Sequence, residues 1–91
     1  MFDIQIQSEA LDELQEAFQW YENEQSGLGL KFIQSFEQAC QQLQQHPQHY
    51  TGINEHFRRI RLHPFPYLVV YEIAEQSVII IAVRHAARKP L

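Results

Sequence analysis

The last third of this chain can fold only as a small sheet. Residues 57–62, Phe57-Arg58-Arg59-Ile60-Arg61-Leu62, interleave arginine with apolar residues as one strand, and residues 67–71 and 78–85 are runs of mostly β-branched, aromatic and aliphatic side chains. Pro64 and Pro66 bracket the first gap, and the polar turn Ala74-Glu75-Gln76-Ser77 fills the second. Both gaps are short enough for antiparallel hairpins. The second and third runs are apolar on both faces, the pattern of strands inside a sheet, so other elements must cover at least one face.

Those elements come first in the chain. Phe2-Asp3-Ile4-Gln5-Ile6-Gln7 alternates strictly, which predicts a fourth strand with one wet side. Ser8 offers an N-cap oxygen, and Glu9, Asp12 and Glu13 lie where the helix dipole favours anions. Ala10, Leu14, Ala17, Phe18 and Tyr21 follow at helical spacing, which predicts a helix over 9–24. Ser26-Gly27-Leu28-Gly29 ends it. Leu28, Phe32, Phe36 and Cys40, joined by Ala39 and Leu43, form a second amphipathic stripe over 28–45, which Pro47 stops. Residues 47–55 contain Gly52 and Asn54, have no periodicity and read as a loop.

The order β-α-α-β-β-β specifies an α+β fold in a single domain spanning 1–91. Its twisted, mainly antiparallel four-stranded sheet is covered on one face by two antiparallel helices. Because two helices shield only one face, some of Tyr67, Leu68, Val69, Val70, Tyr71, Ile79, Ile81 and Val83 are expected on the other. A contiguous apolar patch there marks a protein-binding surface.

Charge is divided unevenly. The 91 residues carry a formal net charge of −4. Residues 1–57 hold nine acids and one base, a net of −8, whereas residues 58–91 hold six bases and two acids, a net of +4. Local potential follows such patches and not only the total. Period-two alternation puts Arg59 and Arg61 on one face with Phe57, opposite Arg58, Ile60 and Leu62. Guanidiniums about 7 Å apart on one strand suit phosphate oxygens. They equally suit helix-one carboxylates such as Glu13 or Glu16, or plain solvent. Arg84, His85, Arg88 and Lys89 end the last strand, where His85 is the best acid–base candidate and the arginines could stabilise charge on a phosphate.

Other groups point away from chemistry. His46 and His49 are spaced too closely for paired zinc histidines, and Cys40 belongs to the helix stripe, so neither a metal nor a cofactor is expected. Gly27-Leu28-Gly29-Leu30-Lys31 lacks both the preceding strand and the Gly-Lys-Ser/Thr of a phosphate loop. The glutamines at 41, 42, 44 and 45 are a solvated helix face, while Trp20 and Tyr21 are read as core aromatics. A lone cysteine makes no internal disulfide, and no secretory pattern opens the chain, so cytoplasmic residence is the expectation. The longest apolar run, 78–83, is far short of the ~20 residues of a membrane helix.

Taken together, these features resemble the RelE/ParE superfamily of type II toxin–antitoxin toxins, the plasmid stabilisation proteins. The resemblance is carried by Ala10, Leu14, Ala17 and Trp20-Tyr21-Glu22; Gly27-Leu28-Gly29 with Phe32; His46-Pro47 with Tyr50; Arg59-Ile60-Arg61-Leu62; Phe65-Pro66-Tyr67 with Tyr71-Glu72-Ile73; and Ala82-Val83, His85 and Arg88-Lys89-Pro90. It implies a growth-inhibiting toxin neutralised by a cognate antitoxin, alone as a homodimer or in a toxin–antitoxin hetero-oligomer. Tyr67, Val69, Tyr71, Ile79, Ile81 and Val83 would bind the antitoxin. ParE-like members poison DNA gyrase without needing nuclease residues. RelE-like members cleave messenger RNA on the ribosome, and Arg59, Arg61, Arg84, His85 and Arg88 would then take catalytic roles. No tyrosine follows His85, and the chain is acidic overall, which tilts the reading toward gyrase. The third alternative is an inactive toxin or a non-toxic nucleic-acid-binding module, with Phe57, Arg59 and Arg61 as the binding face.

Overall fold

In the computed structural model, which describes residues 1–87, the sheet is built around a long hairpin. Strands β3 (Tyr67–Ala74) and β4 (Ser77–His85) pair antiparallel and occupy its centre, as their two-sided apolar pattern requires. β2 (Arg58–Arg61) pairs antiparallel on the outer side of β3, and β1 (Asp3–Ile6) runs parallel to β4 on the other edge. The spatial order is β1-β4-β3-β2.

Helices α1 (Ser8–Glu24) and α2 (Leu28–Gln45) pack on each other, and α1 crosses β4. Ser8 is the first helical residue and not the cap. The cap position falls to Gln7, which makes no side-chain capping bond. The turn between the helices depends on Gly27, at φ 91°, a left-handed conformation that suits glycine. The Glu22 carboxylate fills that turn, accepting from the Gly27 N–H (3.0 Å) and the Gly29 N–H (3.0 Å). The glycine pair thus does hold an anion at a helix N-terminus, and the anion is the chain's own Glu22.

The core lies between the helices and one face of the sheet. Ala10, Leu14, Ala17 and Tyr21 of α1 and Phe32, Phe36, Ala39 and Leu43 of α2 meet Ile60, Leu62, Tyr67, Val69, Tyr71, Val78, Ile80 and Val83. Tyr21, Phe32, Phe65 and Tyr67 form an aromatic cluster with ring centroids 4.8–6.0 Å apart, a range that favours edge-to-face and offset pairs.

The segment read as a loop is more organised than its sequence suggests. Residues Pro47–His49 form a short 3-10 turn, and Asn54 closes the next bend by accepting from the His56 and Phe57 N–H groups. Two sheet residues fasten this segment. The Tyr71 hydroxyl donates to the Pro47 carbonyl (2.6 Å), and Arg58 Nη1 donates to the carbonyls of Gln48 (3.1 Å) and Tyr50 (2.9 Å).

Candidate functional site

A single irregularity decides which side chains the open face displays. Along β3 alternation is unbroken, so Tyr67, Val69 and Tyr71 face the helices while Leu68, Val70 and Glu72 face away. In β4 the register slips: Val70 pairs with Ala82 and Tyr71 with Ile80, which leaves Ile81 as an extra, bulged residue. The slip reverses the parity of everything after it. Val83 and His85 turn to the helix side, and Ala82 and Arg84 turn to the open side.

The expected antitoxin surface is therefore corrected. Tyr67, Val69, Tyr71 and Val83 are core residues, each at most 9% exposed. Ile79 and Ile81 are half-buried and keep apolar surface, as does Leu68. Val70 and Ala82 point away from the helices yet are sealed at 2% and 1% exposure. The open face is thus a narrow apolar strip and not a broad hydrophobic sheet surface.

The arginines divide by partner. Arg58 lies on the helix side of β2 and clamps the 47–50 segment as described above. Arg59 and Arg61 lie exposed on the open face, across from Val70 and Leu68. Arg84 stands in the same cross-strand row as Arg61, with Leu68 between them. Its Nε, however, is bound to Glu13 Oε2 at 3.0 Å. The other oxygen of Glu13 accepts the Val83 N–H at 2.9 Å. β1 pairs with β4 only as far as Ile80, so Glu13 satisfies a strand edge that β1 leaves bare. The pairing weighed for Arg59 and Arg61 with Glu13 or Glu16 is not formed among the described residues; Glu13 is taken instead by Arg84.

His85 does not join Arg59 and Arg61. Its ring faces the helix side, 5.3 Å from Tyr67 in an edge-to-face pair, and its Nδ1 accepts the Ala87 N–H at 3.1 Å. The acid–base candidate and the Arg59/Arg61 pair occupy opposite faces of the sheet. Arg88, the fifth candidate, lies outside the described residues.

Beside His85 is a cavity of about 250 Å³ between α1 and the end of β4, walled by Glu13, Glu16, Ala17, Trp20, Tyr67 and Arg84 among others. Trp20 borders it at 48% exposure, which corrects its reading as a core residue, whereas Tyr21 is buried as expected. The two rings meet edge to face at 5.1 Å. No sequence signal separates these neighbours except helical phase, since Tyr21 continues the stripe of Leu14 and Ala17 and Trp20 lies beside it.

Among the described residues, Cys40 and the pair His46 and His49 are other groups with reactive side chains. Burial, with the Glu37 carboxylate adding to it, pushes the Cys40 thiol up to about 11, far from the range of a reactive thiolate. His46 and His49 stack face to face at 4.7 Å, and no group of three metal-ligating side chains converges among the described residues.

Comparison with known proteins places this arrangement. The family described as ParE toxin of the type II toxin–antitoxin system parDE matches residues 4–90. The chain belongs to the ParE toxin family. Among curated relatives of this ParE-family chain is Toxin ParE2 of Mycobacterium tuberculosis, in the strains CDC 1551 and H37Rv. Each is 28% identical over 88 residues, covering 96% of this chain and 84% of the relative. A solved structure described as the chromosomal ParDE TA system from P. aeruginosa superposes with a TM-score of 0.80 at 17% identity. It covers 93% of this chain and 96% of that one, a likeness that concerns the fold alone. The β-α-α-β-β-β architecture is thus the ParE-like fold, and the chain is a ParDE-type toxin. None of the helices among the described residues is long and apolar enough to cross a membrane.

Proposed function

We propose that this toxin arrests growth by binding DNA gyrase, that it catalyses no covalent step, and that a cognate antitoxin neutralises it in the cytoplasm. The observation that carries the reading is the separation of the nuclease candidates. General acid–base cleavage of RNA needs its proton-transfer group within hydrogen-bond reach of the phosphate that its cations hold. Here His85 and the Arg59/Arg61 pair lie on opposite faces, and Arg84 is engaged by Glu13. Membership of the ParE family supports the same side of the division. For the antitoxin, the apolar strip at Ile79 and Ile81 offers the docking surface, being what remains exposed of the six residues first considered.

The test is supercoiling of relaxed plasmid by purified gyrase with increasing toxin. Inhibition that disappears when the adjacently encoded antitoxin is added supports the reading. Undisturbed supercoiling in a strain that the toxin arrests, together with codon-linked transcript breaks, overturns it in favour of messenger RNA cleavage.

A further inference from the structure

We propose that the outer edge of β2 carries a binding site for the phosphodiester backbone of a nucleic-acid strand, anchored by Arg59 and Arg61. The site is a cavity of about 370 Å³ beside β2, with His49, Tyr50, Thr51, Arg59, Arg61 and His63 in its wall. Arg59, Arg61, His49, Thr51 and His63 can donate a hydrogen bond or carry positive charge, Tyr50 gives its hydroxyl proton to Gln42 Oε1 (3.0 Å), and the wall contains no carboxylate.

The two anchors are singled out by what the other arginines do. Arg58 gives its donors to the Gln48 and Tyr50 carbonyls, and Arg84 is neutralised by Glu13. The Arg59 guanidinium has no hydrogen bond or ion pair among the described residues. Arg61 has one long bond, from Nε to the Phe65 carbonyl at 3.4 Å. Glu72 shares the open face, diagonal to Arg59, and forms no ion pair with either arginine among the described residues. An acidic protein has thus left two adjacent guanidiniums without an internal counter-charge.

Backbone geometry adds to the side chains. The Arg59 N–H points away from β3 and donates to the Thr51 carbonyl (3.0 Å), so the Arg61 N–H two residues on points out of the same edge. Arg59 and Arg61 are spaced about 6.8 Å along the strand, far enough apart for the two guanidiniums to hold separate phosphates. The fork of each guanidinium matches the oxygens of one phosphate. The site stands on these contacts and needs nothing from the gyrase reading.

The experiment is fluorescence anisotropy of labelled single-stranded and duplex oligonucleotides with the full chain, from about 20 to about 200 mM salt, with pyrophosphate as a separate ligand. Two neutralised phosphates give a slope of log K against log salt of about −1.4 on the single strand. The double variant Arg59→Ala/Arg61→Ala is expected to lose at least roughly tenfold in affinity at the lowest salt and to lose the slope. Its melting temperature should be unchanged, since both side chains are exposed. Arg59→Lys/Arg61→Lys keeps the slope because slope counts charges, and Lys31→Ala, which removes a charge near the far end of α2, changes nothing. Equal affinity and slope for wild type and the alanine double variant overturn the proposal, as does absence of binding at the lowest salt. Pyrophosphate that binds while neither oligonucleotide does overturns the assignment to a strand.

Discussion

Removing one buried oxygen from the centre of the sheet should have two separable consequences. The Tyr71 hydroxyl, on a fully buried side chain, donates at 2.6 Å to the carbonyl of Pro47, itself buried. Tyr71→Phe keeps the ring and its packing but leaves that carbonyl without its donor, at a cost of about 2 kcal/mol. For a domain of this size that is roughly 8–16 °C in melting temperature. The second consequence appears at high pH. Burial, assisted by Tyr50 and opposed by the Arg58 guanidinium, pushes the Tyr71 phenol up to about 12 from 10. Between those values the unfolded chain has released a proton that the native state retains, so native stability is fully present below pH 10 and falls as pH rises toward 12. Two pH units correspond to about 3 kcal/mol. The phenylalanine variant lacks this loss. Urea unfolding at stepped pH should therefore show wild type ahead by about 2 kcal/mol near neutrality and the gap closing above pH 10. Curves that remain parallel through pH 12, or a neutral-pH difference below about 0.5 kcal/mol, would show that the hydroxyl neither ties down the 47–50 segment nor titrates as a buried group.

Two further substitutions test the contacts that place the helices. A Cβ at residue 29 would sit 2.8 Å from the Phe18 ring and 2.9 Å from Glu22 Oε1, so Gly29→Ala should cost about 1–3 kcal/mol and displace the Glu22 cap, read as a lower denaturation midpoint. A variant as stable as wild type would mean that this approach is loose. At the other end of α1, Glu13→Ala removes the acceptor of the Val83 N–H and should cost about 1–2 kcal/mol. Glu13→Gln keeps an acceptor for the Val83 N–H and loses the partly buried ion pair with Arg84, so it should cost less than Glu13→Ala, about 1 kcal/mol. The reverse ranking in urea unfolding would refute edge satisfaction as the role of Glu13.

Local pattern alone determined much of this protein. The break before α2 falls at Gly27 and the end of α2 just ahead of Pro47, because a left-handed turn and a missing donor are properties of single residues. The central position of β3 and β4 followed from their two-sided apolar runs, and the opposite facing of Arg59 and Ile60 from the period of a strand. Family membership was legible for the same reason, since it rests on the order and spacing of such signals along the chain. Tertiary structure decided the rest. An apolar strand of period two reads the same whichever face the helices choose, so nothing local assigned Tyr67, Val69 and Tyr71 to the core rather than to an exposed patch. A bulge has no residue signature in a run of isoleucines and valines, yet the slip at Ile81 reversed Val83, Arg84 and His85 and parted the histidine from the arginines. Which acid meets which base was equally hidden. Glu13 and Arg84 are 71 residues apart, and only the crossing of α1 over the bare edge of β4 brings them together, leaving Arg59 and Arg61 unneutralised on the surface.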